Sequence, residues 1–124
     1  MAESPRSCVL LAERHHGLTD GLRGLLETAF ETVVMVADEA ALLEGAIRLR
    51  PDVAVVDLSL ARDGGLSWLQ ELKHRCPDLK LIVLSVHDEP SVRRAAMDAG
   101  ADAFVLKRAI ATDLLSAVDL VHGR

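Results

Sequence analysis

Residues 53–57 read Val53-Ala54-Val55-Val56-Asp57, an apolar run that ends in a carboxylate. Such a run predicts a buried strand, and open α/β sheets place their chemistry at the carboxyl ends of their strands. Two other apolar runs also end at charged residues, because Glu13 follows residues 8–12 and Lys107 follows residues 103–106. The sequence therefore predicts that Asp57, Glu13 and Lys107 meet at one polar site.

Apolar runs alternate with segments of helical period along the whole chain, which predicts βαβ units and a parallel sheet. Five units fit, with strands at about 7–12, 33–37, 52–57, 79–85 and 102–106. The first helix presents Leu18, Leu22, Leu25 and Leu26 on one face, and the others span about 38–49, 65–75, 89–99 and 110–121. Three of these helices have predicted inward residues. They are Leu42, Ala46 and Leu49 in the second helix, Leu66, Leu69 and Leu72 in the third, and Leu114, Leu115, Val118 and Val121 in the fifth.

Capping residues support two of these helices. Asp38 is predicted to cap the second helix, which stops before Pro51. Pro90 lies in the first turn of the fourth helix and Gly100 follows its end, which is the preferred placement of these two residues.

Composition limits the function classes. The chain has 124 residues, half of them apolar, which suits one domain with a proper core. With 14 basic and 19 acidic side chains its formal charge is −5, so direct binding to nucleic acid is not expected. Cys8 and Cys76 lack the spacing of a disulfide framework or a metal site, which favours reduced thiols. The amino terminus has neither a signal h-region nor a membrane span, so we expect a cytoplasmic protein that does not contact membranes.

Four stretches resemble the response-regulator receiver domain, the phosphoacceptor half of two-component signalling, and together they extend the likeness over essentially the whole chain. Their details resemble the NarL/FixJ-type branch. The resemblance implies an α/β, flavodoxin-like, doubly wound (βα)5 fold with a five-stranded parallel sheet of order 2-1-3-4-5. The stretches are Leu10-Leu11-Ala12-Glu13-Arg14-His15 with Gly21-Leu22-Arg23, then Arg50 to Leu58, Val83 to Asp88 and Ala99 to Lys107.

The resemblance also implies roles for individual residues. Asp57 would accept the phosphoryl group, and Lys107 would contact a phosphoryl oxygen. Ser85 would donate a hydrogen bond to another phosphoryl oxygen, and its movement would let the switch aromatic Phe104 turn inward. The magnesium ion of the family would lie between the second acid of the first strand, Asp57 and the backbone carbonyl of Ser59. Since the first strand retains only Glu13 as an acid, the expected ligands are Glu13, Asp57 and Ser59.

Arg14 departs from the pattern of the family, because it occupies the position of the second acid. A usual site has three acids and one lysine, whereas in this chain the corresponding charges sum to zero. We therefore expect Mg²⁺ to bind weakly, and we hypothesise that Arg14 modifies the pocket by pairing with Asp57 and partly substituting for the metal. Ala61 and Gly64 replace a proline and an acid common after the phosphoacceptor, which predicts a looser loop.

The expected partners follow from the resemblance. Residues 1–124 should form a single receiver domain, either the N-terminal part of a longer regulator or a stand-alone receiver. A histidine kinase would be the phosphoryl donor, and an output domain of the helix-turn-helix DNA-binding type would lie outside this chain; a homodimer is left open. The domain would not be a turnover enzyme, beyond self-phosphorylation from small donors and autodephosphorylation. The Arg93-Arg94 pair is a weak candidate for partner contacts.

Two alternatives remain beside the receiver. One is a phosphorylation-independent pseudo-receiver that acts as a protein-interaction module. The other is a flavin enzyme of flavodoxin type, which is remote because the chain has few aromatics and no glycine-rich phosphate loop after its first strand. The adjacent His15 and His16 are interpreted as solvated residues rather than metal ligands.

Overall fold

Five parallel strands form one sheet in the computed structural model, which describes residues 7–60 and 65–122. Each strand lies within one residue of its predicted bounds. The strands are β1 (Cys8–Ala12), β2 (Thr32–Val36), β3 (Val53–Asp57), β4 (Lys80–Ser85) and β5 (Ala103–Leu106). They pair in the order β2-β1-β3-β4-β5, so the predicted doubly wound, flavodoxin-like topology is confirmed.

Helices connect the strands and cover both faces of the sheet. They are α1 (His16–Glu27), α2 (Glu39–Leu49), α3 (Ser67–Arg75), α4 (Pro90–Asp98) and α5 (Ile110–His122). Two short 3₁₀ turns, Leu58–Leu60 and Lys107–Ala109, follow β3 and β5 and were not predicted. Across the described residues, no helix is both long and apolar enough to cross a bilayer.

The helix ends follow the predicted local chemistry. The Asp38 carboxylate accepts a hydrogen bond of 2.8 Å from the backbone N–H of Ala41, which caps α2. Pro90 begins α4, where its missing N–H costs no intrahelical bond. Gly100 has a φ of 122°, a conformation that a side chain would oppose, and it turns the chain from α4 toward β5.

The core consists of two apolar layers, one on each face of the sheet. Alternate residues of β3 enter opposite layers: Ala54 and Val56 pack on the side of α2, α3 and α4, whereas Val53 and Val55 pack on the side of α1 and α5. This burial on both faces explains why the central strands are apolar throughout.

Two predicted inward residues are wrong. Leu49 is 47% exposed and Leu115 is 36% exposed. Leu49 is the last residue of α2, beyond the turns that carry the buried Leu42 and Ala46. Leu115 follows the fully buried Leu114, and one residue along a helix rotates the side chain by about 100° away from the core.

Candidate functional site

The register of the sheet brings four polar residues to its carboxyl edge. Ala12 pairs with Val56 and Asp57 with Leu84, so the strands β1, β3 and β4 end at similar heights. Glu13 follows β1, Asp57 ends β3, Ser85 ends β4 and Lys107 follows β5. The sequence prediction that these strand ends converge is confirmed for Glu13, Asp57 and Lys107, which are in direct contact.

Lys107 joins the two buried acids. Its Nζ lies 2.9 Å from Oδ2 of Asp57 and 3.3 Å from Oε1 of Glu13. Both carboxylates are almost entirely inaccessible to solvent, and the lysine side chain is only 12% exposed. The buried charges of this trio sum to −1, since one ammonium faces two carboxylates. Together these three residues form a charged cluster at the mouth of the sheet.

Hydrogen bonds stabilise the ionised form of Asp57. Burial acts to raise the pKa of this carboxyl group, but hydrogen bonds from Lys107 and from Ser59 outweigh that effect, so its pKa lies below its ordinary value. Ser59 donates twice, from its backbone N–H to Oδ1 at 3.1 Å and from its hydroxyl to Oδ2 at 2.8 Å. Asp57 is therefore a carboxylate, not a carboxylic acid, over the whole neutral pH range.

Glu13 carries an unsatisfied oxygen. Its side chain is fully buried, and within the described part of the chain Oε1 accepts no hydrogen bond. The 3.3 Å approach of the Lys107 ammonium to Oε1 supplies charge without hydrogen-bond geometry. Buried carboxylate oxygens in native proteins are rarely left in this state, and their partner is then ordered water or a bound ion.

His15, not Arg14, turns toward the pocket. Its Nδ1 lies 2.7 Å from Oε2 of Glu13 and 3.7 Å from Oδ2 of Asp57. Arg14 is exposed and forms no ion pair with any residue in ranges 7–60 and 65–122, so the predicted pair between Arg14 and Asp57 is not formed. His15 is exposed, as expected of a solvated residue, but it also contacts Glu13, whereas the side chain of His16 lies outside the described residues.

The alternation of side chains along extended backbone explains why His15, and not Arg14, contacts the pocket. The chain is still extended at His15, with a φ of −90° and a ψ of 107°. Successive side chains of extended backbone point to opposite sides, so Glu13 and His15 share one side and Arg14 takes the other. This period of two was the signal in the sequence that could have identified His15.

Ser85 is buried at the same edge of the sheet, but its hydroxyl bonds to the loop after β4 and not to Asp57. Its Oγ accepts a 2.9 Å hydrogen bond from the backbone N–H of His87 and donates a 3.2 Å bond to the carbonyl of the same residue. No hydrogen bond joins Ser85 to Asp57 among the described residues. The hydroxyl thus holds the loop after β4 rather than the carboxylate.

Phe104, the predicted switch aromatic, is partly exposed on β5. The guanidinium of Arg93, in α4, lies 5.7 Å from the centroid of its ring, within the range of a cation–π interaction. Phe104 and Arg93 therefore connect β5 with α4 on the surface next to the charged cluster.

The pocket contains donor atoms for a metal ion. One atom each from Glu13, His15 and Asp57 lie within 4.8 Å of one another. The predicted ligand set of Glu13 and Asp57 is thus brought together, and Ser59, whose backbone carbonyl was the third predicted ligand, lies beside Asp57. Residues 61–64, including the altered positions Ala61 and Gly64, lie outside the described residues.

A flavodoxin-like sheet with a buried aspartate, a lysine and a hydroxyl at its carboxyl edge defines the class of phosphoacceptor receiver domains. A search against family models agrees, because the model for the response regulator receiver domain matches residues 9–119. The chain belongs to this family, whose members generally bind Mg²⁺ at an acidic pocket.

Individual relatives are regulators of the NarL/FixJ type. The chain is 33% identical to the nitrate/nitrite response regulator protein NarP of Escherichia coli, over 95% of this chain and 56% of the relative. It is 29% identical to the transcriptional regulatory protein MctR of Rhizobium johnstonii, over 99% of this chain and 58% of the relative. The chain thus spans slightly more than half the length of these curated relatives.

A solved structure is similar over the same region. RcsB from Salmonella enterica serovar Typhimurium, bound to promoter rprA in the presence of phosphomimetic BeF3⁻, superposes with a TM-score of 0.79 at 29% identity. The match covers 92% of this chain and 67% of the RcsB chain. The likeness is therefore to the receiver part of a DNA-bound regulator.

Proposed function

We propose that Asp57 accepts a phosphoryl group from the phosphohistidine of a histidine kinase and that the domain relays the resulting change to an output domain or partner. The observation that carries the proposal is the state of Asp57, a buried carboxylate kept ionised at the carboxyl edge of the sheet by Lys107 at 2.9 Å. A phosphoacceptor must be ionised to attack phosphorus, and a nearby cation must balance the incoming charge.

The two oxygens of Asp57 differ in their hydrogen bonds. Oδ2 accepts from Lys107 and from the Ser59 hydroxyl, whereas Oδ1 accepts, within the described part of the chain, only from the backbone N–H of Ser59. We assign the new O–P bond to Oδ1, which has the freer lone pairs. As that bond forms, the P–N bond of the donor breaks, and the imidazole of the kinase keeps the electron pair and takes a proton from solvent. Lys107 then neutralises part of the phosphoryl charge.

Ser85 and Phe104 would relay the phosphorylated state. For Ser85 to donate to a phosphoryl oxygen, its hydroxyl has to leave its two contacts with the His87 backbone. That movement frees the loop between β4 and α4 and makes room for Phe104 to turn inward, away from Arg93. The surface formed by α4, β5 and α5 would then change, which is the relay surface that the family resemblance implies.

Arg14 is proposed to weaken magnesium binding. When bound in this pocket, Mg²⁺ would supply positive charge to the phosphoryl oxygens. Glu13, Asp57 and the backbone carbonyl of Ser59 would hold it, and Mg²⁺ prefers such hard oxygen donors. Arg14 supplies no oxygen where the family has its second acid, and it adds a positive charge near the pocket. Because Arg14 is exposed, solvent screens most of that charge, so the missing ligand is the larger loss.

The rest of the regulator and its partners are also proposals. RcsB bound to a promoter supports an output domain of the helix-turn-helix DNA-binding type outside this chain. We propose a cytoplasmic protein with a histidine kinase as its phosphoryl donor, with homodimerisation left open. The domain itself is proposed to be a phosphoacceptor with no substrate turnover beyond self-phosphorylation and autodephosphorylation.

A pseudo-receiver is the second candidate. One observation favours it, because Arg14 replaces an acid of the pocket. In this alternative the cluster holds one conformation, and partner binding alone provides regulation. The retained Ser85 and Lys107 argue against such a loss of chemistry.

Intact mass measurement distinguishes the two candidates. The purified domain would be incubated with acetyl phosphate or phosphoramidate, with and without Mg²⁺, beside Asp57→Asn. Asp88→Asn is the matched control, because Asp88 is an exposed acid after β4 that pairs with Arg108. A gain of one phosphoryl group in the wild type and in Asp88→Asn, absent from Asp57→Asn, would establish the receiver. No gain in a folded sample under any condition would favour the pseudo-receiver.

A further inference from the structure

We infer that this pocket binds a late first-row divalent cation, of which Co²⁺ and Zn²⁺ are examples, in preference to Mg²⁺, through His15, Glu13 and Asp57. The inference deepens the proposed function because it concerns the same pocket. It stands on the geometry of three side chains and does not require that Asp57 be phosphorylated.

The first observation is the convergence of one nitrogen and two carboxylate oxygens. The Nδ1 atom of His15 lies 2.7 Å from Oε2 of Glu13 and 3.7 Å from Oδ2 of Asp57. Metal–donor bonds of roughly 2.1 Å place neighbouring ligands about 3.0–3.5 Å apart in octahedral or tetrahedral geometry. The two observed separations lie on either side of that range, and all three donor atoms lie within 4.8 Å of one another, so binding requires an adjustment of these side chains.

The second observation is the orphaned oxygen of Glu13. Among the described residues, Oε1 is a buried side-chain oxygen without a hydrogen bond, although its carboxylate is fully enclosed. A bound cation would give Oε1 the partner that it lacks. Coordination of Nδ1 of His15 would replace its present 2.7 Å contact with Oε2 of Glu13, and it would use the neutral imidazole.

The donor chemistry decides which ion is favoured. Imidazole nitrogen suits Zn²⁺, Co²⁺ and related ions, whereas Mg²⁺ selects oxygen ligands. At this edge Arg14 is exposed and supplies no oxygen donor, whereas His15 contacts Glu13 and supplies a nitrogen donor. The His15 nitrogen is therefore a ligand that strengthens the binding of late first-row ions and that Mg²⁺ does not use well.

The surroundings of the pocket are compatible with this assignment. The His15 side chain is 60% exposed, so solvent can reach the site and complete the coordination sphere. The ammonium of Lys107, at 2.9 Å from Asp57, opposes every dication at this position. Since its repulsion depends on charge and not on ion type, Lys107 lowers all affinities together and leaves the preference intact.

Metal titration without any phosphoryl donor tests the inference. Binding of Co²⁺ and of Mg²⁺ to the chain would be measured by calorimetry, and Co²⁺ also by its visible absorption and by the shifted imidazole signals in proton NMR. We expect Co²⁺ to bind at least about 10-fold more tightly than Mg²⁺. His15→Ala should remove most of that preference and the shifted imidazole signals, while it changes Mg²⁺ affinity by less than about threefold.

Two further variants make the result decisive. His74→Ala is the matched control, because His74 is an exposed histidine in the last turn of α3 and should leave the Co²⁺ preference unchanged. His15→Gln keeps a polar side chain of similar size and should lose the preference as His15→Ala does. If the wild type shows no preference, or if both His15 variants retain it, the inference is refuted. Co²⁺ selectivity without a phosphoryl gain would refute the proposed function and leave this inference standing.

Discussion

Replacement of Lys107 by methionine is the perturbation for which the structure gives the clearest magnitude. The Lys107→Met variant keeps the length of the side chain but removes the ammonium between two buried carboxylates. At an effective dielectric constant of about 20, the 2.9 Å contact with Asp57 corresponds to about 6 kcal/mol of raw attraction and the 3.3 Å contact with Glu13 to about 5 kcal/mol. The desolvation of the three charged groups opposes most of this attraction.

The net effect is smaller but still large. Removing one partner of a buried ion pair typically destabilises a protein by about 3–5 kcal/mol, because it leaves a buried charge uncompensated. We expect a loss near the lower end, about 3 kcal/mol, since Lys107 retains some exposure to solvent. With a slope of about 1.5 kcal/mol per molar urea, the unfolding midpoint should fall by about 2 M.

Urea unfolding followed by circular dichroism at pH 8 measures this change. Lys80→Met is the control, because Lys80 is an exposed lysine at the start of β4 and should change the stability by less than about 0.5 kcal/mol. In an Asp57→Asn background the cost of Lys107→Met should fall substantially, since one buried charge is already absent. A Lys107→Met variant as stable as the wild type would refute this account of the cluster, as would equal costs in the two backgrounds.

Three other predictions concern pH and the turn before β5. Because the folded-state pKa of Asp57 lies below its ordinary value of 3.8, the ionised form stabilises the fold fully above that value, and this contribution is lost as the pH falls through the folded-state pKa. The urea midpoint of the wild type should therefore decrease more steeply than that of Asp57→Asn between about pH 5 and pH 2; parallel curves would contradict this assignment. Asp102→Ala should lower the free energy of unfolding in urea by about 1–2 kcal/mol, because the carboxylate accepts hydrogen bonds of 3.0 Å from Lys73 and 2.9 Å from a backbone N–H of β4. An unchanged free energy of unfolding would show that water replaces both hydrogen bonds. Gly100→Ala should lower the free energy of unfolding by about 1–3 kcal/mol, because φ is 122° and the added Cβ would lie 3.1 Å from the Lys73 side chain. Gly24→Ala is the control, since its added Cβ meets nothing within 4 Å and should not destabilise the protein. Equal melting temperatures of the two variants would contradict this prediction.

Most of the fold was predictable because local and global signals agree. The apolar strands are buried on both faces, and residues such as Asp38 and Gly100 mark helix ends with specific backbone chemistry. The errors at Leu49 and Leu115 lie at the two limits of a helix contact, since Leu49 ends α2 and Leu115 lies at the edge of the buried face of α5. Helical periodicity shows which side of a helix is apolar, but it does not show how far the supporting sheet extends or how wide the contact is.

The site was predictable in outline and not in its contacts. Parallel strands bring their carboxyl ends together, so the meeting of Glu13, Asp57 and Lys107 follows from the strand assignments. The positions of Arg14 and His15 follow from alternation, which applies only if the chain stays extended beyond the end of β1. The orientation of the Ser85 hydroxyl depends on the backbone of the loop after β4, for which the sequence holds no periodic signal.

The structure also suggests why β5 is suited to relay a change at Asp57. Phe104 lies within β5 and Lys107 follows it directly, so the switch aromatic and the cation that contacts Asp57 share one short strand. If Asp57 carries a phosphoryl group, the Lys107 ammonium has to move with the added charge, and Ser85 on the neighbouring β4 has to break its contacts with the loop. Both movements act on the pair β4 and β5, which is held together by backbone hydrogen bonds. The α4 side of β5, where Arg93 faces the Phe104 ring, is therefore where the two displacements would add.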